Sequence, residues 1–348
     1  MESKIKNRRN KRRLLLLLIA LLFTVVLFTS STYAWFTANK TVKVSTLTVN
    51  VAAQNGIQIS TDGTSWKSII QTTDITGVHD TTYGDSINQV PTTLEPVSTA
   101  GVVDSDGLME MYYGTVGSNA NGDYILSSVK STEQEGTTGK FIAFDLFFKV
   151  DAASDIYLTT NSGVKYVGNE DSGIKNASRI AFVVLGRADA GASVETIQGL
   201  HGQNGVSKYI WEPNYNTHTA SAISHANDTY GLTIHETETN AIPYAGVKAE
   251  FASSQNVVVR VSSPLAYTTT WEDYFEEVTP SYKTISGFSE KLQIFSLQAG
   301  VTKVRIYMWI EGQDVDCENG ASGGTITYDL QITTDANYTN PTTPSTNP

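Results

Sequence analysis

Apolar and polar residues alternate with a period of two in several windows of the chain. Residues 141–150 (FIAFDLFFKV) place Ile142, Phe144, Leu146, Phe148 and Val150 on one face, with Asp145 and Lys149 on the other. Residues 304–310 (VRIYMWI) set Val304, Ile306, Met308 and Ile310 against Arg305, Tyr307 and Trp309. Residues 325–332 (TITYDLQI) set Ile326, Tyr328, Leu330 and Ile332 against two Thr, Asp329 and Gln331. Successive side chains of a strand point to opposite faces, so these windows predict half-buried strands of antiparallel sheet. Residues 256–262 (NVVVRVS) read the same way, and residues 178–187 (SRIAFVVLGR) are apolar enough to be buried on both faces.

The first such window needs a correction to its phase. In residues 41–51 (TVKVSTLTVNV) Val42 and Val44 share a face, the phase slips at Ser45-Thr46, and Leu47, Val49 and Val51 continue the alternation. A slip of one residue is what a β-bulge does to a strand. Asn55-Gly56 and Asp62-Gly63 accept positive φ and predict tight hairpins. One short helix is expected at residues 270–278 (TTWEDYFEEV without its first Thr). Residues 84–122 and 186–230, rich in Gly, Asn, Ser and Thr, read as long loops or inserted irregular segments. Together these elements predict an all-β fold: an antiparallel β-sandwich of jelly-roll type with long loops, preceded by an N-terminal signal-peptide helix.

That helix is read from the start of the chain. Residues 1–13 carry seven Lys/Arg against Glu2, and residues 14–28 (LLLLLIALLFTVVLF) are uncharged. A basic flank, a short apolar run and a small residue before a cut make a secretory signal peptide. Ala34 is the best small residue for the position before the cut, so the mature chain would start at Trp35. The run is short of the roughly 20 apolar residues of a spanning helix, although an uncleaved signal-anchor is the alternative. The expected organisation is then a signal peptide (1–34), an extracellular β-sandwich domain (35–335) and a disordered Pro/Thr-rich tail (336–348).

An apolar run, then TYAWFT (32–37), a polar gap and a Val/Thr/Leu strand resembles the N-terminus of substrates of the SipW-type signal peptidase. This group includes the TasA and camelysin family of biofilm-matrix proteins, and the resemblance covers residues 14–51. A fainter similarity lies in residues 304–317 (VRIYMWIEGQDVDC), which resemble a segment of clostridial-type secreted proteins with this signal. The resemblance implies export, the signal peptidase as a partner, and self-association into fibres at the cell surface. It also implies a candidate donor strand, with Val42, Val44, Leu47, Val49 and Val51 as its apolar residues. Freed by the cut, such a strand can add to a neighbour's sheet. As a terminal appendage it would be removable without loss of the fold.

Composition narrows the remaining classes. Removing residues 1–34 takes away seven bases and one acid, so the net charge of −11 becomes −17. Phosphate binding needs a basic footprint, so nucleic acid is not an expected partner. A membrane is expected only through the signal segment before cleavage. The single cysteine, Cys317, excludes an internal disulfide framework and leaves stability to the core.

The chemistry-bearing residues are few. None of His79, His201, His218, His225 and His235 sits in an HExxH motif, so they read as solvated loop histidines. Asp104 and Asp106, and Asp314, Asp316 and Glu318, concentrate oxygen ligands and are candidates for calcium. Neither stretch has the twelve-residue EF-hand spacing, and the preferred reading is an acidic hairpin loop with no cofactor. No G-x-S-x-G elbow is present, and the acidic neighbours of Cys317 would raise its thiol pKa. Carboxylate pairs such as Glu272-Asp273 and Glu276-Glu277 fit a helix surface. Trp66, Tyr112, Tyr113, Tyr209, Trp211 and Tyr215 lie in or beside polar segments and could present rings to a glycan, although most rings in β proteins pack in the core. The sequence therefore points to a secreted structural protein that is not an enzyme. A monomeric ligand- or glycan-binding surface module, with residues 41–51 simply paired into its own sheet, is the alternative, and a secreted metal-dependent hydrolase stands behind both.

Overall fold

The computed structural model describes residues 42–51, 57–76, 83, 86–118, 124–134, 136–168, 172–202, 206–227, 233–237, 239–255, 271–317 and 324–334. The expected signal peptide, its cut at Ala34-Trp35, the turn at Asn55-Gly56, the strand at 256–262, Glu318 and the tail lie outside these residues. The strands begin with β1 (Val42–Val51), β2 (Gln58–Ser60), β3 (Ile69–Gln71), β4 (Thr93–Leu94), β5 (Tyr112–Ser118) and β6 (Tyr124–Lys130). They continue with β7 (Ile142–Val150), β8 (Ser154–Leu158), β9 (Gly163–Tyr166), β10 (Ser178–Ala188), β11 (Ser207–Pro213) and β12 (Tyr244–Val247). The last are β13 (Phe275–Val278), β14 (Tyr282–Thr284), β15 (Leu292–Leu297), β16 (Gly300–Ile310) and β17 (Thr325–Thr333). Short helices are α1 (Thr72–Ile75), α2 (Val194–Gln198), α3 (Ala220–His225) and α4 (Trp271–Tyr274).

The fold is all-β. One sheet runs β15-β8-β17-β1-β3, with β4 also on β1 and β9 also on β17. A second runs β14-β11-β10-β16-β7-β2, and β5-β6 and β12-β13 form two small ladders. Most pairings are antiparallel, as the alternation predicts, but β1–β17 and β11–β14 are parallel. Parallel neighbours need a long crossover, and β1 and β17 are joined by nearly the whole described chain.

Between the sheets lies one large core. From β7 come Ile142, Phe144, Leu146 and Phe148, and from β16 Val304, Ile306, Met308 and Ile310. The facing sheet supplies Ile156, Leu158, Ile326, Tyr328, Leu330 and Ile332. Phe295 of β15 bridges the layers, edge-on to Phe148 at 6.0 Å and tilted against Phe182 at 5.8 Å. Burying each such side chain stabilises the fold by roughly 1.5–3 kcal/mol. This packing of two sheets is sandwich-like.

The expected polar faces of β7 and β16 are not exposed. Chain from the inserted region covers them, and a second core forms there. It joins Val97, Met109 and Met111 to Ala143, Ala181, Val183, Tyr307 and Trp309, with Tyr244 and Val278 above. Every residue of β16 is buried as a result. The alternation was real, but it separated an apolar core from a polar buried layer rather than from water. The cover sits close: a Cβ on Gly246 would lie 2.3 Å from Thr99 O, so only glycine lets the two backbones meet there.

Three local expectations are also revised. Residues 207–213 (SKYIWEP), inside the span 186–230 read as loop, form β11 and pair with β10. The expected helix at 270–278 is α4 for one turn and then becomes β13. At Asp62-Gly63 the expected positive φ is found, +73° at Gly63, but the loop is not a tight hairpin: Ile59 and Lys67 exchange backbone hydrogen bonds across seven residues.

Candidate functional site

The candidate donor strand lies inside the sheet. Along one side of β1, Val44, Leu47, Val49 and Val51 register with Ile326, Tyr328, Leu330 and Ile332, the buried apolar residues of β17. On the other side Thr48, Val49 and Asn50 pair with β3, and Val42 and Lys43 pair with β4. Pairing jumps from Val44↔Ile326 to Thr46↔Thr327, so Ser45 is the extra residue of a bulge, at the position the phase slip predicts. Beta1 is therefore not an appendage: it fills an interior slot between β17 and its two antiparallel neighbours. The expectation that it is removable without loss of the fold is corrected by this position.

A second feature is the covered face of the six-stranded sheet. Along β16 and just past it, Lys303, Arg305, Tyr307, Trp309 and Glu311 recur at every second residue, all buried. At one end Arg305 stands directly across from Asp145 on β7. Its Nη1 donates to Asp145 Oδ1 at 2.7 Å and its Nη2 to Ile87 O, with Glu133 as a further ion-pair partner. Tyr307 donates to Glu133 Oε1 at 2.6 Å and accepts from Met109 N at 2.9 Å, while Tyr83 donates to Asp145. Burial works against the charge on Asp145, but Arg305 and Lys303 outweigh it and hold the carboxyl below its usual range.

At the other end the balance is reversed. Arg179 of β10 lies opposite Trp309, and its Nη2 contacts both Glu212 (2.7 Å) and Asp314. Trp309 Nε1 donates to Glu311 Oε2 at 3.0 Å, and Gln313 N donates to Glu311 Oε1 at 3.0 Å. His218 Nδ1 is 2.7 Å from Asp316 Oδ2. Burial pushes the Glu311 carboxyl up to about 7. It raises Glu212 to about 7 against the pull of Arg179, and Asp316 to about 6 against that of His218. Four carboxylates thus face one arginine and one histidine.

These shifts set the pH dependence of stability. The three raised carboxyls hold protons in the folded state that they lose in the unfolded chain from about pH 4 upward. Stability they confer is complete below the unfolded values and is lost as pH rises to about 7. Asp145 acts in the opposite sense, and so does Asp62, where donors from Ser65, Thr64 and Ser60 overcome burial and hold the carboxyl at about 2. Their contribution is present above the unfolded value of 3.8 and is lost in stronger acid. Maximal stability is expected near pH 4–5. Glu311 alone should account for roughly 3 kcal/mol of the decline toward pH 8. Denaturant midpoints measured from pH 4.5 to 8.5 check this, and a midpoint that rises with pH would contradict it.

Beside the Arg305 end opens a cavity of about 380 Å³, lined by Asp145, Lys303 and Arg305 with Ile87, Leu185 and His201. Lys303 Nζ donates to Gln198 O at 3.0 Å and lies 3.4 Å from Asp145. The charged groups on its floor are bound to one another, so the cavity offers shape and apolar walls more than free charge.

The other predicted residues are dispersed. Asp104 Oδ1 accepts from Asp106 N and Leu108 N in a tight turn. Asp314 and Asp316 are engaged by Arg179 and His218 on a different part of the fold. Among the described residues no three His, Cys, Asp or Glu side chains converge as a metal set. His218 is buried rather than solvated, because Asp316 gives it a partner that water would otherwise supply. Nor do the aromatic residues form one platform. Trp211 is fully buried and donates to Thr284, Tyr209 stacks on Phe295, and Tyr112 is buried. Sequence reasoning missed the buried charge ladder. Its signal was the pairing of Arg305 with Tyr307 and Trp309 on a face assigned to water.

Among the described residues no helix is long and apolar enough to cross a membrane. We find no match to the chain among protein-family models, curated proteins or solved structures.

Proposed function

We propose that this is a secreted structural protein of the cell surface or extracellular matrix, whose subunits join into fibres by exchanging their first strand. The observation that motivates the reading is the place of β1: a strand that begins within ten residues of the expected cut fills an interior slot of the sheet, an arrangement that a monomeric module shares. The slot is defined by β17 and by β3 with β4, and it is satisfied equally by a strand of the same chain or of a neighbour. Exchange of an identical element remakes every contact and is a low-cost route to association. Head to tail it does not close, so it propagates. Before the cut the same strand is tethered to the membrane, which keeps it with its own chain. Assignment of the two packed sheets to a jelly roll belongs to this proposal, and no catalytic role does.

Purified protein beginning at Trp35, concentrated and viewed by electron microscopy, tests the reading. Ordered filaments whose formation depends on residues 41–51 are expected. Monomers that persist at every concentration would overturn it and favour the second reading, a ligand-binding surface module, which the cavity of about 380 Å³ beside Arg305 supports.

A further inference from the structure

The acidic end of the buried ladder does more than pack. Residues 214–226 leave β11 at Asn214, whose φ of +59° turns the chain and whose Nδ2 bonds Val164 O. They then lie across the carboxylates. His218 meets Asp316, and Thr219 N donates to Asp316 Oδ1 at 3.3 Å. The apolar anchoring of the segment is local: Ala222 is fully buried, and Ile223 packs with Ile242 against a small cluster of Ala226, Ile234 and Val315, separate from the main core. Outside this cluster the segment is held by polar contacts, among them those to Asp316.

Those contacts close over a layer that is not fully satisfied. Among the described residues Glu212 Oε2, Arg179 Nε, the Tyr244 hydroxyl and both amide atoms of Gln313 are buried without a hydrogen-bond partner. The side chains of Arg179, Glu212, Asp314, Asp316 and His218 are each at least nine-tenths buried. Facing one another are Arg179 on β10, Glu212 on β11, Tyr244 on β12, His218 on the segment itself, and Glu311, Asp314 and Asp316 after β16. With every carboxyl ionised, the positive charge of Arg179, even with that of His218, is outnumbered. Buried uncompensated charge is costly, and admitting water is the cheapest relief.

We propose that residues 214–226 form a proton-operated clasp, closed over Glu212 and Asp316 in mildly acidic conditions and opened when this carboxyl cluster loses its protons. The clasp is independent of strand exchange and needs no ligand. Burial raises Glu212, Glu311 and Asp316 together, in the direction this requires. At acidic pH the cluster is close to neutral, and the segment rests on it. As pH rises negative charge accumulates beneath the segment, while the rest of the sheet is held by the main core.

The chain carries its own probe. Cys317, the single cysteine, is adjacent to Asp316 and buried. Its labelling by an uncharged maleimide would be followed from pH 6 to pH 8 in the intact chain and in a Glu212→Gln/Glu311→Gln variant, which keeps the neutral shape at those two positions at all pH values and leaves Asp316 as the one raised carboxyl still to titrate. Both rates rise as the thiol ionises, so the ratio is the readout. The unsubstituted protein is expected to gain about tenfold over the variant, the effect of roughly one unit of proton linkage. Parallel curves would overturn the clasp. A second measurement avoids the variant: hydrogen exchange of the unsubstituted protein, corrected for intrinsic rates. Protection across 214–226 should fall from pH 6 to pH 8 while that of β10 and β16 holds; loss of protection in all three together, or in none, overturns the proposal.

Discussion

Replacing Arg305 with methionine is expected to cost about 3–5 kcal/mol of folding stability, the range for breaking a buried ion pair from one side. Methionine fills most of the volume, so the loss is electrostatic rather than a cavity effect. Asp145 would keep Lys303 at 3.4 Å and the Tyr83 hydroxyl, but it would lose its 2.7 Å contact with the guanidinium. Glu133 would retain only Tyr307 among the partners described above. Adding Asp145→Asn to Arg305→Met should recover part of the loss, because the orphaned charge is removed with its partner. Denaturant unfolding of both variants measures this. A loss below about 1 kcal/mol for the single change would mean that the pair behaves as a solvent-exposed one.

Removing the chain up to Val51 is expected to destabilise the protein by several kcal/mol, a large part of the roughly 5–15 kcal/mol that holds a domain. The deletion strips β17 of a parallel partner along its whole buried row and strips β3 and β4 of their neighbour. Two new edges then face water, and such edges invite pairing. The truncated chain should melt roughly 10 °C lower and form no ordered filaments. A synthetic peptide of residues 41–51, added in excess, should raise the melting temperature again by occupying the slot. Unchanged melting after the deletion would show that the slot contributes nothing; failure of the peptide to rescue would show that the slot does not accept a strand in trans.

The strands at 141–150, 304–310 and 325–332 and the bulge near Ser45 could be read from alternation, and the strand at 178–187 from its continuous apolar run; with the turn signals these gave the all-β class. The reason is local: a strand with one face in an apolar core carries that period in its own residues, whatever covers the other face. What could not be read depends on distant chain. Beta1 shows where its apolar residues fall but nothing of its partner, and its parallel match to β17 comes from the opposite end of the sequence. The covered face of β16 looked like a solvent face because Arg305 is polar, yet the inserted chain above it supplies Ile87 and Met109 as partners, and the segment between β6 and β7 supplies Glu133. Beta11 was hidden by its surroundings, since Gly, Asn and Ser on either side made a seven-residue strand look like part of a loop. The histidines illustrate the same limit: the buried side chain of His218 is held by Asp316, almost a hundred residues later.

The parallel seam between β1 and β17 also sets an order of events during synthesis. The first strand of the sheet cannot acquire that partner until the last one has been made, so the sheet remains open while the intervening residues are translated. Contacts between chain ends are the slowest to form, because closing so long a loop is entropically costly before any contact rewards it. A ribosome-bound chain lacking its final strand should therefore stay protease-sensitive and available to chaperones. Synthesis of β17 is then the event that locks β1 in place.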